Sequence, residues 1–361
     1  MLSRLLSHDL PRSRVLALLL VLTAIGLLVT PFVFPGPKAL GVAAKITVFI
    51  LLVASYDLLL GYTGIVSFAH TMFFGLGAYG VAIASTRLGA GWGAIALGFG
   101  AALVLSLALS LLIGLFSLRV KAIFFAMITL AVAAAFQTLA SQLSDFTGGE
   151  DGLSFKVPEV LTAGFKLGGT FDGRLLAYYG ILLVVAVSFL VLLRCVNSPF
   201  GRVLQAIREN DFRAEAIGYR TVIYRTWSNV LAAGFATLAG ALLALWLRYN
   251  GPDTSLSFEI MLDILLIVVI GGMGTMYGAV LGSALFLIAQ NYLQELLKLA
   301  ANAVSGVPVV SLVLSPDRWL LWLGVLFVVC VYYFPTGIVG RLRMHGLKNP
   351  HVIASGARNP G

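Results

Sequence analysis

The sequence predicts an all-α fold, a polytopic transmembrane helical bundle of about ten spans. We expect its N- and C-termini to be cytoplasmic and some of its Gly-rich helices to be broken or half-spanning. Of the 361 residues, 60% are hydrophobic and only 11% are charged, whereas about a quarter of an average soluble domain is charged. The apolar runs are roughly 20 residues long, which as helix is enough to cross a membrane core of about 30 Å. The strands of an outer-membrane barrel would instead alternate over roughly 10 residues.

The apolar runs divide the chain into ten predicted spans. In order, they cover 15–34, 41–60, 67–86, 93–117, 122–142, 174–194, 228–248, 257–271, 277–297 and 319–335. The eighth run is short and ends in the sequence IGGMGTMYG. Such a run is typical of a half-span or of a tilted, broken helix.

The basic residues orient these spans. Four clusters fall on the same side: Arg4, Arg12 and Arg14; Arg119 and Lys121; Arg202, Arg208, Arg213, Arg220 and Arg225; Arg341, Arg343, Lys348 and Arg358. Lys and Arg accumulate in cytoplasmic loops, and this accounts for the net charge of +9 without a nucleic-acid partner. We therefore expect a cytoplasmic N-terminus (1–14), a transmembrane domain (15–340) and a cytoplasmic tail (341–361). From His345 onward the tail is Gly/Pro-rich, which is typical of disorder.

Two loops are long, an outer loop (143–173) and a cytoplasmic loop (195–227). In the cytoplasmic loop, Ser198 is a suitable N-cap with Pro199 behind it, and Gly218 is a suitable C-terminal stop. Apolar residues recur between them at helical spacing: Val203, Ile207, Ala214 and Ile217. The sequence thus predicts one amphipathic helix of roughly four turns. Its small apolar stripe and its charges of both signs favour docking into a groove on another protein over burial in the lipid interface.

The sequence shows no motif for catalysis or metal binding. It has no P-loop pattern, its four histidines are scattered, and Cys195 and Cys330 form neither a disulfide framework nor a metal signature. Asp57 and Asp263 lie within predicted spans, where an acid is a functional candidate. Glu259 begins a span, where its charge favours the helix N-terminus.

Three Gly-rich segments lie at membrane depth or at its edge: 61–80, 147–152 and 271–282. The spacing of Gly271, Gly274 and Gly278 predicts a close-packing helix face. Gly61 and Gly64 instead flank Tyr62 and Thr63 in a pattern that indicates an interruption between two helices. Transporters build substrate sites from broken helices, so tight packing and a transport site remain alternatives for each segment.

Four motifs together carry a family resemblance: LLGYTGIVSFAHTMFFGLGAY, TGGEDGLS, SPFGRVLQAIRENDFRAEAIGY and VVIGGMGTMYGAVLG. The chain resembles, from about residue 40 to residue 340, the membrane subunits of branched-chain amino acid ABC importers. Its long N-terminus and its TGG-x-DGL segment resemble the longer of the two permease types.

The resemblance implies a transport subunit that is not an enzyme and holds no cofactor of its own. A second permease subunit would pair with it, and two cytoplasmic ATP-binding subunits would supply ATP and magnesium. A periplasmic or extracellular substrate-binding protein would deliver the substrate. The expected location is the bacterial inner membrane.

The resemblance also implies three sets of site residues, which we extend with the acids and polar groups above. The coupling helix against the ATPase would include Arg202, Ile207, Arg208, Glu209, Arg213, Glu215 and Gly218. Candidates for the translocation path are Asp57, Tyr62, Gly64, Ser67, His70, Thr71 and Asp263. Candidates for the outer gate are Thr147, Gly148, Gly149 and Asp151.

The substrate remains open at this point. The family often has Gly where Ala69 stands and Ala where Thr71 stands, so the path of this chain carries a further polar group. Related permeases carry urea or short amides, although the segment 248–263 looks closer to the amino acid carriers. A self-sufficient secondary transporter, driven by an ion gradient through Asp57 or Asp263, is the less favoured alternative.

Overall fold

The computed structural model describes residues 13–34, 36–117, 122–162, 164–167, 171–303, 315, 318–334 and 336–347. Several of the predicted basic residues lie outside these ranges: Arg4, Arg12, Arg119, Lys121, Lys348 and Arg358. The described chain is almost entirely helical, as the composition predicts.

Fifteen helices are described in chain order. They are α1 (Arg14–Val33), α2 (Pro37–Thr63), α3 (His70–Leu88), α4 (Trp92–Ser117), α5 (Ala122–Gln142), α6 (Ser144–Thr147), α7 (Gly173–Val196), α8 (Pro199–Glu209), α9 (Asp211–Ala216), α10 (Thr221–Leu247), α11 (Pro252–Ser255), α12 (Phe258–Gly271), α13 (Met276–Ala303), α14 (Trp319–Tyr333) and α15 (Gly337–Leu347). Short 3₁₀ turns occur at Gly149–Asp151 and Glu159–Leu161.

The strands are only two residues long. They are β1 (Leu153–Ser154), β2 (Lys166–Leu167), β3 (Phe171–Asp172) and β4 (Tyr249–Asn250). β1 pairs antiparallel with β4, and β2 pairs antiparallel with β3. These ladders join loop segments, so they do not alter the all-α class.

Nine helical stretches within the described ranges are long and apolar enough to cross a membrane. They are Arg14–Val33, Pro37–Thr63, Trp92–Leu115, Ile123–Gln142, Gly173–Val196, Thr221–Leu247, Pro252–Gly271, Met276–Asn302 and Trp319–Leu342. The chain is therefore a multi-pass membrane protein of the helical class. The third of the ten predicted spans, 67–86, corresponds to α3, which is not among the nine. This helix begins only at His70, and its glycines, hydroxyls and Arg87 make it less apolar than the others.

The described residues form two compact units: 47–265 in one, and 13–46 with the described part of 266–347 in the other. In the first unit α3 packs against both α10 and α4, and α10 packs against α4. Most of α3 is buried between these helices. Neighbouring protein, and not lipid, therefore covers the helix that is least suited to lipid.

Glycines allow the backbones of this unit to approach closely. A Cβ atom at Gly77 in α3 would lie 1.9 Å from the carbonyl oxygen of Thr237 in α10. Likewise, a Cβ atom at Gly240 in α10 would lie 1.8 Å from the carbonyl oxygen of Phe74. No side chain fits at either position, because the neighbouring atom is backbone. Tight helix packing is thus the established role of the glycines in the α3 part of the 61–80 segment.

In the second unit, the prediction of a single helix face with Gly271, Gly274 and Gly278 is wrong. Gly271 ends α12, Gly274 lies in the following turn with φ 77°, and Gly278 belongs to α13. A Cβ atom at Gly271 would lie 2.2 Å from the carbonyl oxygen of Gly278. The close packing is therefore between two consecutive helices across a tight turn. Regular spacing cannot reveal this arrangement, because the turn interrupts the helical period.

The end of the described chain also differs in part from expectation. Helix α15 runs across the predicted boundary at 340 and reaches Leu347. The first three residues of the stretch that was expected to be disordered, 345–347, are thus helical. The remainder of that stretch lies outside the described residues.

Candidate functional site

The Gly-rich sequence at 61–69 interrupts two helices of the first unit. Helix α2 ends at Thr63, α3 begins at His70, and Gly64 has a positive φ of 71°. The backbone N–H of Ile65 donates to the carbonyl of Leu59 (3.1 Å), and that of Phe68 donates to Thr129 Oγ1 on α5 (3.0 Å). The predicted interruption is therefore confirmed, and specific hydrogen bonds hold its backbone.

A group of buried polar side chains follows this interruption. His70 Nε2 lies 2.9 Å from Ser55 Oγ, and the rings of His70 and Tyr56 are 5.1 Å apart between centroids. The Ser55 hydroxyl also donates to the carbonyl of Leu52 (2.7 Å), so its oxygen joins the α2 backbone to the His70 ring. This bond ties the start of α3 to the middle of α2.

The predicted path residues near the interruption are mostly enclosed by protein. Tyr62, Ser67, His70 and Thr71 are buried, and Gly64 is exposed. Their place on a translocation path stays a prediction.

The two predicted intramembrane acids lie in different helices. Asp57 is 2% exposed within α2, and Asp263 is half-buried within α12. Both belong to stretches that are long and apolar enough to span a membrane. Within the described ranges, no three His, Cys, Asp or Glu residues are placed to hold a metal ion.

The loop that was predicted to be cytoplasmic, 195–227, departs from its prediction in one respect: the single four-turn helix is two helices, α8 and α9. The chain breaks at Asn210, which has φ −159° and ψ 100°. The Asn210 side chain accepts a hydrogen bond from the backbone N–H of Arg213 (2.9 Å) and so caps α9. Asparagine competes with helix continuation in this way. The predicted stop at Gly218 is confirmed by the end of α9 at Ala216 and a φ of 97° at Gly218.

The break also changes which side chains are buried. Leu204, Ile207 and Ala214 are buried, whereas Ile217, expected in the apolar stripe, is 68% exposed. Phe212 is 84% exposed and lies directly after the break. Sequence reasoning missed Leu204, which shares the buried face of α8 with Ile207. It also missed Phe212, because the break at Asn210 resets the helical phase for the residues that follow.

Two of the predicted coupling residues bond within the chain itself. Arg208 donates through Nη1 to the carbonyl oxygen of Gly61 in the last turn of α2. Glu215 accepts a hydrogen bond from Thr221 Oγ1 at the start of α10 (2.6 Å). The predicted coupling segment and the helix interruption therefore contact each other at Arg208 and Gly61. We call the residues 61–69 and 199–220 together the Arg208 end.

The remaining predicted coupling residues are exposed, apart from the buried Ile207. Arg202, Glu209 and Arg213 are exposed. An ion pair between Asp211 and Arg225 (2.9 Å) fixes the base of α9 to α10. The exposed surface of α8 and α9 thus presents charges of both signs around a large aromatic side chain.

The predicted gate residues also come together. Thr147 Oγ1 donates to the carbonyls of Ala140 (2.6 Å) and Leu143 (2.7 Å). Gly148 and Gly149 have φ values of 78° and 64°, as tight turns require. The Tyr249 hydroxyl donates to the carbonyl of Asp151 (3.1 Å) beside the β1–β4 ladder. Their function as a gate stays a prediction.

Two arginines attach this loop to the helices. Arg87 donates to the carbonyl of Asp145 (2.8 Å), and Arg248 donates to the carbonyl of Leu161 (3.0 Å). We call the residues 143–161 and 248–256 together the Arg248 end. Both groups border α3: Leu256 packs against Gly75 in the second turn of the helix, and Arg87 near its C-terminus bonds to Asp145.

These features define the class of protein. It is a multi-pass membrane protein in which the interruption between α2 and α3 is bonded to a pair of short helices, α8 and α9. The particular family follows from comparison. Residues 38–331 match the family described as the permease component of branched-chain amino acid transport systems. The chain belongs to this family.

Individual relatives are distant. One is the high-affinity branched-chain amino acid transport system permease protein LivM of Salmonella typhimurium, 25% identical over 299 residues, or 77% of this chain and 69% of the relative. Its namesake in Escherichia coli is 24% identical over the same shares. A probable branched-chain amino acid transport permease protein LivM of Methanocaldococcus jannaschii is 27% identical over 226 residues, 62% of this chain and 61% of the relative. No solved structure matches the chain.

Proposed function

We propose that this chain is a permease subunit of an ATP-driven ABC importer in the bacterial inner membrane. It translocates branched-chain or related hydrophobic amino acids. Two separate ATP-binding subunits drive it, a second permease completes the pathway, and an external binding protein supplies the substrate. Family membership supports the transport role, and the printed names of the relatives support the substrate class.

The surface of α8 and α9 is the observation that carries the coupling to ATPases. Phe212 is 84% exposed and Ile217 is 68% exposed. Both lie outside the stretches that are apolar enough to span a membrane. An exposed apolar patch rimmed by polar residues marks an interaction site, and in our proposal Phe212 and Ile217 belong to such a patch. Here the neighbours Asp211, Arg213 and Glu215 carry both signs of charge.

The rigidity of this surface favours a protein partner. Asn210 caps α9, Asp211 pairs with Arg225, and Glu215 accepts from Thr221. Phe212 is therefore presented from a backbone that these bonds hold in place, and little conformational entropy is lost when a groove receives it. In our proposal, ATP-driven closure of the two ATPases moves this surface, and the movement alternates access to the substrate path.

Co-purification tests the proposal. The tagged chain is solubilised from native membranes in mild detergent, and the co-purifying proteins are identified. We expect two copies of ATP-binding protein and a second permease. If the chain purifies alone and still moves an amino acid in liposomes, the importer assignment is contradicted.

The same assay locates the ATPase surface. Phe212→Arg places a charge where an apolar anchor is expected, and loss of such an anchor should lower ATPase recovery by about tenfold or more. Gln205→Ala, an exposed change on α8, is the control and should retain full recovery. Equal recovery with both variants would remove Phe212 from the interface.

The substrate is tested with the assembled importer and its matching binding protein. Competition by leucine, isoleucine and valine is compared with competition by urea and short amides. We expect the branched-chain amino acids to compete. Competition by urea alone would assign the chain to the amide-carrying relatives.

A further inference from the structure

We infer that Arg208 is the joint between the α8–α9 surface and the interrupted helix, so that movement of α8 is transmitted to residues 61–69 by this one side chain. The bond itself is a property of the chain. Its part in transport rests on the proposed function above.

The carbonyl that Arg208 binds is one that a helix leaves unpaired. Gly61 lies in the last turn of α2, where carbonyl groups have no partner within the helix. A helix C-terminus also carries partial negative charge, which favours a guanidinium there. Arg208 therefore acts as a C-terminal cap for α2 from a position 147 residues away in the sequence.

The stem of Arg208 covers the interruption as well. A Cβ atom at Gly64 would lie 3.2 Å from Arg208 Cγ and 3.8 Å from its Cβ. Gly64 thus provides a positive φ and also leaves room for the arginine. Both ends of the Arg208 side chain contact the point where the α2 helix stops.

The helix that carries Arg208, α8, is itself packed against the rest of the unit. Leu204 and Ile207 are 0% and 1% exposed, so the face that precedes Arg208 is packed against protein. A displacement of α8 must then carry Arg208 with it. Beyond the interruption, Phe68 is bonded to Thr129 and His70 to Ser55, so the moved segment is anchored at its far side and acts as a hinge.

This geometry gives Arg208 a different role from the other coupling residues. Arg202, Arg208 and Arg213 are all exposed, but among these three it is the Arg208 guanidinium that bonds to the backbone of α2. We therefore expect Arg208 to be a positioning residue whose loss uncouples the subunits without releasing the ATPases.

Hydrogen exchange on the purified full chain tests the joint without any partner. In Arg208→Gln the cap on α2 is lost, and exchange of the amides in 58–69 should rise about fivefold or more. Arg208→Lys retains a cation that can reach the carbonyl and should restore most of the protection. Arg220→Gln removes a cation from the same loop and should leave 58–69 unchanged. If the exchange rates of the amides in 58–69 are unchanged in Arg208→Gln, the inference that Arg208 joins α8 to this segment is wrong.

Transport measurements test whether the Arg208 bond is needed to couple ATP hydrolysis to uptake. In proteoliposomes with the full importer, Arg208→Gln should recover the ATPases normally, while uptake per ATP hydrolysed falls about tenfold. Arg208→Lys should recover part of this loss. If Arg208→Gln loses the ATPases on purification, Arg208 is a docking contact and the inference is wrong. If no variant and no wild-type chain binds ATPases, the proposed function fails, although the exchange result still stands by itself.

Discussion

The two ends of the 47–265 unit attach their peripheral segments by different means. Both use an arginine on a backbone carbonyl: Arg208 on Gly61 at one end and Arg248 on Leu161 at the other. The Arg248 end adds the β1–β4 ladder and the bond from Tyr249 to Asp151. A ladder holds two segments in one register, whereas a long side chain has rotatable bonds and can follow a moving helix. The Arg208 end is also tied by side chains, Asp211 to Arg225 and Thr221 to Glu215, and in the described residues of 61–69 and 199–220 no ladder joins it to its neighbours. We therefore expect the Arg208 end to move more easily than the Arg248 end.

The largest effect is expected at Gly64. Gly64→Ala introduces strain at a positive φ and also a methyl group 3.2 Å from Arg208 Cγ, so uptake should fall by about tenfold or more. Gly89→Ala is a stringent control for backbone strain, because Gly89 has φ 92° and ψ 173°, a conformation that is essentially restricted to glycine, and has open space around it. Its uptake should stay within about twofold of wild type. Similar losses in both variants would show that backbone strain alone matters and that the Arg208 contact does not.

A smaller effect is expected from Arg248→Gln. The variant loses the bond to Leu161, but the ladder and Tyr249 remain, so the cost should be about 1 kcal/mol and the melting temperature in detergent should fall by about 2 °C. Uptake should be unchanged, because this end is not expected to move with the ATPases. Loss of uptake as severe as in Arg208→Gln would contradict the division into a fixed end and a movable end.

The smallest effect is expected from Tyr249→Phe. The hydroxyl bond to Asp151 is exposed, so water replaces it at little cost, and the change in stability should be below about 0.5 kcal/mol. Melting curves of Tyr249→Phe with and without the Arg248→Gln change measure whether the Tyr249–Asp151 bond and the Arg248–Leu161 bond support each other. A sum of the single effects indicates independent contacts, and a larger loss indicates cooperation within the loop.

The features that could be predicted from the sequence are those that depend on composition and on local sequence patterns. Apolar runs of about 20 residues predicted the multi-pass helical class, and Gly61 with Gly64 predicted the interruption. Gly218 was correctly predicted to follow the end of the helical segment that begins at Pro199. These features are visible because each depends on residues that are adjacent or nearly adjacent in the chain.

The features that sequence reasoning missed depend on side chains that compete with helix continuation, or on contacts between residues that are far apart in the sequence or lie on either side of a turn. Asn210 breaks a segment whose apolar spacing resembles one helix, because its side chain caps the next turn more favourably than the helix continues. The partner of Arg208 lies 147 residues away, and no periodicity connects the two. Gly271 and Gly278 pack across a turn, where a spacing rule for a single helix does not apply.

The most direct test compares two sets of liposomes. One contains the purified chain alone under an ion gradient, and the other contains the co-purified assembly with its binding protein and internal ATP. The account predicts accumulation of a labelled branched-chain amino acid only in the second set, together with ATP hydrolysis. Accumulation by the chain alone, without ATP, would contradict it and would direct attention to Asp57 and Asp263 as the groups that couple transport to an ion gradient.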